Sequence, residues 1–199
     1  MQNNYIEIDQ WNEYNLSQSF DGISIKGEEN IIEEYELGND NAIGFKSGSR
    51  SYNFTPQFNY GIKSIDSLEI NISDGAKLKP SEKLKLSYLK ITSKDHVNFE
   101  LDIEVDQLEL DIRDNSSITL TGKAKNTILD IENHAVLDGS GFTSEQVNIN
   151  MHDNSKVDLK SADLIKGSLR DHALLQIEDQ QSYDKKDIST NDNAEVKIK

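Results

Sequence analysis

The sequence predicts an all-β protein: a parallel β-solenoid of about seven coils, each of ~20 residues, behind an N-terminal cap. Two observations carry this. The heptapeptide Asp114-Asn-Ser-Ser-Ile-Thr-Leu120 recurs as Asp153-Asn-Ser-Lys-Val-Asp-Leu159, Asp171-His-Ala-Leu-Leu-Gln-Ile177 and Asp192-Asn-Ala-Glu-Val-Lys-Ile198, with weaker copies from Asp74, Asp95 and Asn133. The seven starts lie 21, 19, 19, 20, 18 and 21 residues apart, which is the length of one solenoid coil. The residues around each copy also alternate between apolar and polar, as in strands with one buried face.

Each unit reads as strand, tight turn, strand. With the leading Asp or Asn as position zero, position one holds only Gly75, His96, Asn115, His134, Asn154, His172 and Asn193. These types tolerate positive φ, and Asp or Asn at position zero can hydrogen-bond the backbone two residues on. Position two is small except at Val97, and position four is always apolar. Position six is Leu or Ile except at Pro80 and Gly139. Upstream, Leu68, Ile70 and Ile72, then Leu108, Leu110 and Ile112, then Val147, Ile149 and Met151 give the incoming strands. A leucine-rich repeat would need a longer Leu-x-x-Leu-x-Leu frame, and helical repeats would space apolar residues by three and four. Neither pattern is present.

The chain has 199 residues, 36 acidic against 21 basic, and a net charge of −15. Nucleic acid and anionic membrane surfaces need clustered Lys and Arg, so both are poor partners. No apolar run exceeds three residues, so no transmembrane helix or secretory core is expected. Cysteine is absent, which excludes disulfides and thiolate chemistry.

Residues 1–62 hold ten of the fourteen aromatics, among them Trp11, Tyr14, Phe20, Phe45, Phe54 and Phe58. They are expected to form strands and irregular turns that cap one end of the stack; the alternative is a sugar-stacking surface. Tyr5 to Ile8 and Phe20 to Ile25 alternate as strands. Gly27 to Gly38 fits either strand or short helix, and 39–41 and 47–49 read as turns. Residues 63–199 form the repeat array, with insertions at Lys79 to Lys85 and Gln180 to Lys186 that put loops on one side. In the last strand Val196 and Ile198 should point inward, and Glu195, Lys197 and Lys199 outward, where charges discourage end-to-end pairing.

Phe20-Asp-Gly-Ile-Ser-Ile25, and the run from Ser67-Leu-Glu-Ile-Asn-Ile72 to the end, resemble the head GIN domain family of putative auto-transporter adhesins. The resemblance implies a single-stranded right-handed β-solenoid. It also implies an extracytoplasmic location, in the periplasm or at the cell surface, with the targeting segment absent from this chain. The family's Gly-Ser-Gly-Asp-like turn is replaced here by Asp-Asn-Ser or Asp-His-Ala, and Gly139-Ser140-Gly141 lies outside the turn register. The resemblance carries no catalytic residues.

Stacking should align Asp74, Asp95, Asp114, Asp153, Asp171 and Asp192 into a ladder interrupted by Asn133. Carboxylates about 5 Å apart in water repel by roughly 0.8 kcal/mol, which turn hydrogen bonds or bound calcium would offset. The glycine-rich nonapeptide of calcium-binding β-rolls is missing, so structural turns are the expectation and calcium the candidate cofactor. His96, His134 and His172 recur in alternate coils, near 10 Å apart, too far to share one zinc. His152, which precedes Asp153, is placed to meet Asp171 or His134. Asp111, Asp130 and Asp158 are the outward carboxylates that a pectinase-like β-helix enzyme would use as acid and base. No basic cluster beside them would hold an acidic polymer, and no phosphate loop or nucleophile elbow is present. The expected function is therefore a non-catalytic, adhesin-like binding module of the cell envelope, with glycan or protein as ligand. A carbohydrate-active enzyme and a structural solenoid self-assembling through its ends are the alternatives.

Overall fold

The computed structural model describes residues 4–8, 13–19, 21–26, 35–37, 43–45 and 57–199. Its strands are β1 (Asn4–Ile8), β2 (Glu13–Ser17), β3 (Asp21–Lys26), β4 (Tyr35–Leu37), β5 (Ile43–Phe45), β6 (Gln57–Ile62), β7 (Ser67–Ile72) and β8 (Lys77–Pro80). They continue as β9 (Leu84–Ser93), β10 (Asn98–Ile112), β11 (Ser117–Ile131), β12 (Val136–Met151), β13 (Lys156–Leu169), β14 (Leu174–Ile177), β15 (Lys186–Thr190) and β16 (Glu195–Ile198). A single helical turn, α1, spans Gln180–Asp184. The main sheet runs β1-β7-β9-β10-β11-β12-β13-β14-β16, with β15 also on β13, and every pairing in it is parallel. This is the predicted solenoid.

Each long strand carries two limbs of a coil. In β10, Phe99, Leu101, Ile103 and Val105 face the core, then Asp106 and Gln107 both face out, then Leu108, Leu110 and Ile112 face in. The outward pair breaks the alternation where the chain rounds the second corner. β13 shows the same division, since its first limb pairs with β14 and its second with β15. Parallel register stacks like on like, so Leu68, Leu89, Leu108, Thr127, Val147 and Ile165 form one inward column. Thr127, 1% exposed, is the polar member, and its hydroxyl meets that of buried Ser144 at 2.9 Å. That contact removes the cost of an unpaired buried hydroxyl.

Segment 1–62 contributes directly to the stack. β1 lies beside β7, and β2 lies beside β8 with Glu13 opposite Lys77, so these two strands add one more rung. β6 then pairs with β2 in parallel, and β3 closes that edge antiparallel. Tyr14, Leu16, Tyr60 and Ile62 are buried in the same core as the repeats, with the two tyrosine rings 6.3 Å apart. Tyr5 to Ile8 and Asp21 to Ile25 are strands as expected, and of Gly27 to Gly38 only the strand β4 is described. Trp11, Phe20, Phe54 and the turns expected at 39–41 and 47–49 lie outside the described residues.

Both expected insertions are present after the first limb of their coils. Residues 81–83 form a bend between β8 and β9, and 178–185 carry α1. Asp179 caps that turn: its carboxylate accepts from Ser182 N at 2.7 Å and Ser182 Oγ at 2.8 Å. These bonds hold the Asp179 carboxyl below its ordinary pKa. Gly139-Ser140-Gly141 proves to be a bulge in β12, where pairing shifts against both β11 and β13. The extra length is absorbed by Asp138, which accepts from Ser140 N at 3.1 Å and Oγ at 2.7 Å, and its pKa is lowered in consequence. At the far end Val196 packs against the core as expected. Ile198 remains 43% exposed, because β16 is the outermost rung on that side. Asp158 Oδ2 accepts from Lys156 and from Lys199, both at 3.3 Å, tying β16 back across β14 to β13.

Gly167 has φ +149 in the inward column of Ile70, Ile91, Leu110, Leu129 and Ile149, and an added Cβ would stand 1.7 Å from the Ile149 carbonyl oxygen. Gly167→Ala should therefore lower stability by about 3 kcal/mol, combining backbone strain with a steric clash, as read by urea unfolding. The lowered pKa values of Asp138 and Asp179 set a sign for acid behaviour. Their stabilising bonds are fully present above the ordinary carboxylate pKa near 4 and are lost as pH falls through the depressed folded values. An Asp138→Asn, Asp179→Asn double variant should show a shallower loss of melting temperature below about pH 4 than the parent.

Candidate functional site

All seven heptapeptide corners place positions zero and one at positive φ, between 52° and 67°. Six corners close with a hydrogen bond from the position-two N–H to the carbonyl three residues back, as in Ala76 to Ser73 and Ser116 to Arg113. Two adjacent residues at positive φ are the signature of a type I′ turn, which explains the restriction to Asp, Asn, His and Gly. At the exception the Val97 N–H goes to the Ser116 hydroxyl at 3.2 Å, on the next coil. Position two is small because it fills the inside of the corner: Ala76, Ser116, Ala135, Ser155 and Ala173 are at most 1% exposed.

The corners are also bonded to one another. The position-one N–H of each coil donates to the position-zero carbonyl of the next: Gly75 to Asp95, His96 to Asp114, Asn115 to Asn133, His134 to Asp153, Asn154 to Asp171, and His172 to Asp192. The backbone carbonyls of Asp95, Asp114, Asp153, Asp171 and Asp192 are thus already engaged, and Asp74 starts the ladder. Asn133 donates its amide to the Asp114 carboxylate at 2.9 Å, so the interruption relieves repulsion locally. Among the described residues no group of three or more His, Asp or Glu converges as a metal ion would need.

His152 binds neither Asp171 nor His134 in the way its neighbourhood first suggests. Its Nε2 meets Glu132 at 2.7 Å and its Nδ1 meets Asp153 at 2.5 Å. Glu132 also receives Arg113 Nη1 at 2.7 Å, and Arg113 in turn grips Asp111 through Nε and Nη2. The bond to Asp111 is the largest cause of the raised Arg113 pKa. A charged chain thus runs across three coils just before the turns. Its sequence signal is Arg113, Glu132 and His152 spaced by one period, legible only once the register is known.

The outward carboxylates are divided between limbs. Asp111 and Asp130 are register neighbours on the second limb, whereas Asp158 lies on the first. Asp158 is only 7% exposed although it sits on an outward position, covered in part by its two lysine partners. Two shallow grooves flank the insertions. One of about 360 Å³ lies between α1 and the coils that carry Lys123, Thr143 and Ser161, and one of about 310 Å³ lies beside residues 80–83. Between them, charges alternate by coil: Lys83 meets Asp102 at 3.2 Å, Lys123 meets Glu104 at 2.8 Å and Lys125 meets Asp106 at 2.7 Å. Those contacts lower the Glu104 pKa and raise that of Lys125. The second-limb face has Tyr88, Gln107, Asn126 and Gln146 in one outward column and Lys90, Glu109, Ile128, Asn148 and Lys166 in the next. Burial, followed by the Glu109 and Glu69 carboxylates, pushes the Tyr88 hydroxyl up to about 12.

A parallel solenoid whose corners are satisfied by its own backbone, and whose side chains vary on rigid outer faces, is a scaffold for surface recognition. The chain belongs to the family described as "Putative auto-transporter adhesin, head GIN domain", whose model matches residues 4–198. Solved structures share the fold. A putative adhesin from Bacteroides fragilis superposes with a TM-score of 0.77 at 14% identity, covering 100% of this chain and 93% of that one. A putative lipid binding protein from Parabacteroides distasonis gives 0.75 at 12% identity, covering 98% and 92%. A putative adhesin from Parabacteroides merdae gives 0.69 at 17% identity, covering 98% and 91%. No curated protein matches the chain.

Asn115 separates the conformational from the chemical role of the corner residue. Asn115→Gly should leave the melting temperature nearly unchanged, whereas Asn115→Val should cost about 2 kcal/mol, because a β-branched residue is strained at φ 61°. Urea denaturation of the two variants reads the difference directly.

Proposed function

We propose that the protein is a non-catalytic binding module of the bacterial cell envelope, presenting the outer faces of a rigid solenoid to a glycan or protein ligand. The observation that carries this reading is the division of labour within each coil. Inward positions and corners are consumed by packing and by the inter-coil ladder, so residue choice is free only on the outward strand positions and the two insertions. The candidate acid–base carboxylates fit binding better than hydrolysis. Asp111 is clamped by Arg113 and Asp158 by two lysines, and the two lie on different limbs. Membership of an adhesin family and the extracytoplasmic setting it suggests point the same way.

The test combines two measurements on the purified chain. Thermal unfolding is followed against a panel of envelope polysaccharides, each with calcium and with chelator, and co-sedimentation is measured with envelope fractions from a Bacteroides host. A ligand of the native state present at 100 times its Kd should stabilise by about 2.7 kcal/mol and raise the melting temperature. Co-sedimentation with a saturable, polysaccharide- or protein-dependent component supports the reading. A shift with calcium alone would instead assign a metal to the ladder of Asp74, Asp95, Asp114, Asp153, Asp171 and Asp192. Release of new reducing ends would overturn the reading in favour of an enzyme. Concentration-dependent self-association with no envelope binding would overturn it in favour of a structural solenoid.

A further inference from the structure

The second-limb face carries a pattern unlike the rest of the surface. Register stacks Tyr88, Gln107, Asn126 and Gln146 on four successive coils, all pointing outward. Beside them, one column over, Ile128 and Asn148 stand between Lys90 and Glu109 on one side and Lys166 on the other. Successive rungs of a sheet are about 4.8 Å apart, close to the length of one sugar unit in an extended β-linked chain. We propose that this face binds a neutral, β-linked polysaccharide lying along the solenoid axis, with Gln107, Asn126, Gln146 and Asn148 as hydrogen-bonding rungs and Tyr88 and Ile128 as apolar platforms. The inference rests on the binding-module reading and names its ligand class and surface.

The residue chemistry selects the ligand. A sugar hydroxyl both donates and accepts, and so does a carboxamide, whereas a carboxylate only accepts and an ammonium only donates. Asn126, Gln146 and Asn148 are exposed, and their side chains make no hydrogen bond among the described residues. Gln107 donates to Glu109 at 3.1 Å, which fixes its amide and leaves its carbonyl oxygen open. Ile128 is 43% exposed; among the described residues Ile198 is the only other large apolar side chain so open, and it lies on the terminal rung. Tyr88 is held by its hydroxyl bond to Glu109, and the phenol stays neutral throughout the physiological range.

The surroundings exclude the obvious competitors. The described border of the track carries Glu109, Asp111 and Asp130 together with Lys90 and Lys166, so it presents no run of cations along which a uronic-acid polymer could lie. A protein partner would be expected to anchor on clustered aromatic and arginine side chains, and among the described side chains Tyr88 is the one aromatic on this face, while Arg113 is spent on Asp111 and Glu132. The groove beside α1 offers no such period, and its innermost hydroxyl, Ser182, is already bonded to Ala162 N and Asp179. Individual sugar contacts of this kind are weak, but a rung on each coil lets successive sugars bind at high effective concentration.

Isothermal titration of the full chain with cellohexaose, chitohexaose, laminarihexaose and hexagalacturonate tests the assignment. At least one neutral hexasaccharide should bind, more tightly than its trisaccharide, and hexagalacturonate should not. Asn126→Ala combined with Gln146→Ala should weaken that binding at least tenfold with the melting temperature unchanged, while Asn98→Ala, an exposed amide on the first limb, should leave it intact. Absence of binding by all three neutral hexasaccharides, or binding indifferent to the double variant, would overturn the proposal. Envelope co-sedimentation separates the two levels. If parent and double variant sediment equally, the binding reading stands and the track is wrong; if neither sediments, the binding reading itself fails.

Discussion

Two consecutive residues held at positive φ govern the geometry of the seven repeat coils. The pair turns the chain sharply enough that the strand after the corner starts in the same phase each time, and it leaves one N–H and one carbonyl pointing along the axis. Those groups bond to the next corner, so the turn belongs to the same hydrogen-bond ladder as the strands. A corner with unpaired backbone would cost free energy at every level of the stack. Once this one is repeated in register, the inward columns follow, and so does the small residue inside each bend. The whole behaves as a one-dimensional array in which each coil is stabilised by its two neighbours.

That constraint explains why so much of the fold was legible in the chain. Only Asp, Asn, His and Gly accept the corner conformation cheaply, so the corners stand out against the rest of the sequence at their own period. The alternation on either side then gives the buried columns. Departures from the period were harder to read. Gly139-Ser140-Gly141 looks like a turn in composition, yet it lies within a strand longer than both of its neighbours, and the surplus becomes a bulge. The rung formed by β1 and β2 was hidden because residues 9–12 lack the Asp-Asn grammar of the later corners, so only pairing with β7 and β8 reveals it. Ile198 follows the inward pattern but is exposed, because alternation states a direction and not what lies beyond the last rung.

Surface function was less legible for a related reason. An outward residue acquires meaning from its neighbours one coil up and one coil down, about twenty positions away in sequence. Arg113, Glu132 and His152 are unremarkable until register joins them into a chain of polar contacts. Asp111, Asp130 and Asp158 look equivalent in sequence, yet the first two adjoin on one limb while the third is covered by lysines on the other. The amide column is likewise dispersed among three strands. Fold information is local and repeated, whereas recognition information is spread across the repeats and differs from coil to coil.

The Asp158–Lys199 contact has a mechanical consequence. Bonds between coils run along the solenoid axis, so tension applied along that axis would peel strands away one rung at a time, whereas shear parallel to the strands loads many bonds together. The outermost rung is where such peeling starts. By reaching over β14 to a largely buried carboxylate on β13, Lys199 makes the loss of one rung depend on a bond to the second rung beneath it. The clasp therefore couples β16 to β13 as well as to β14, so under axial load the two rungs do not separate independently.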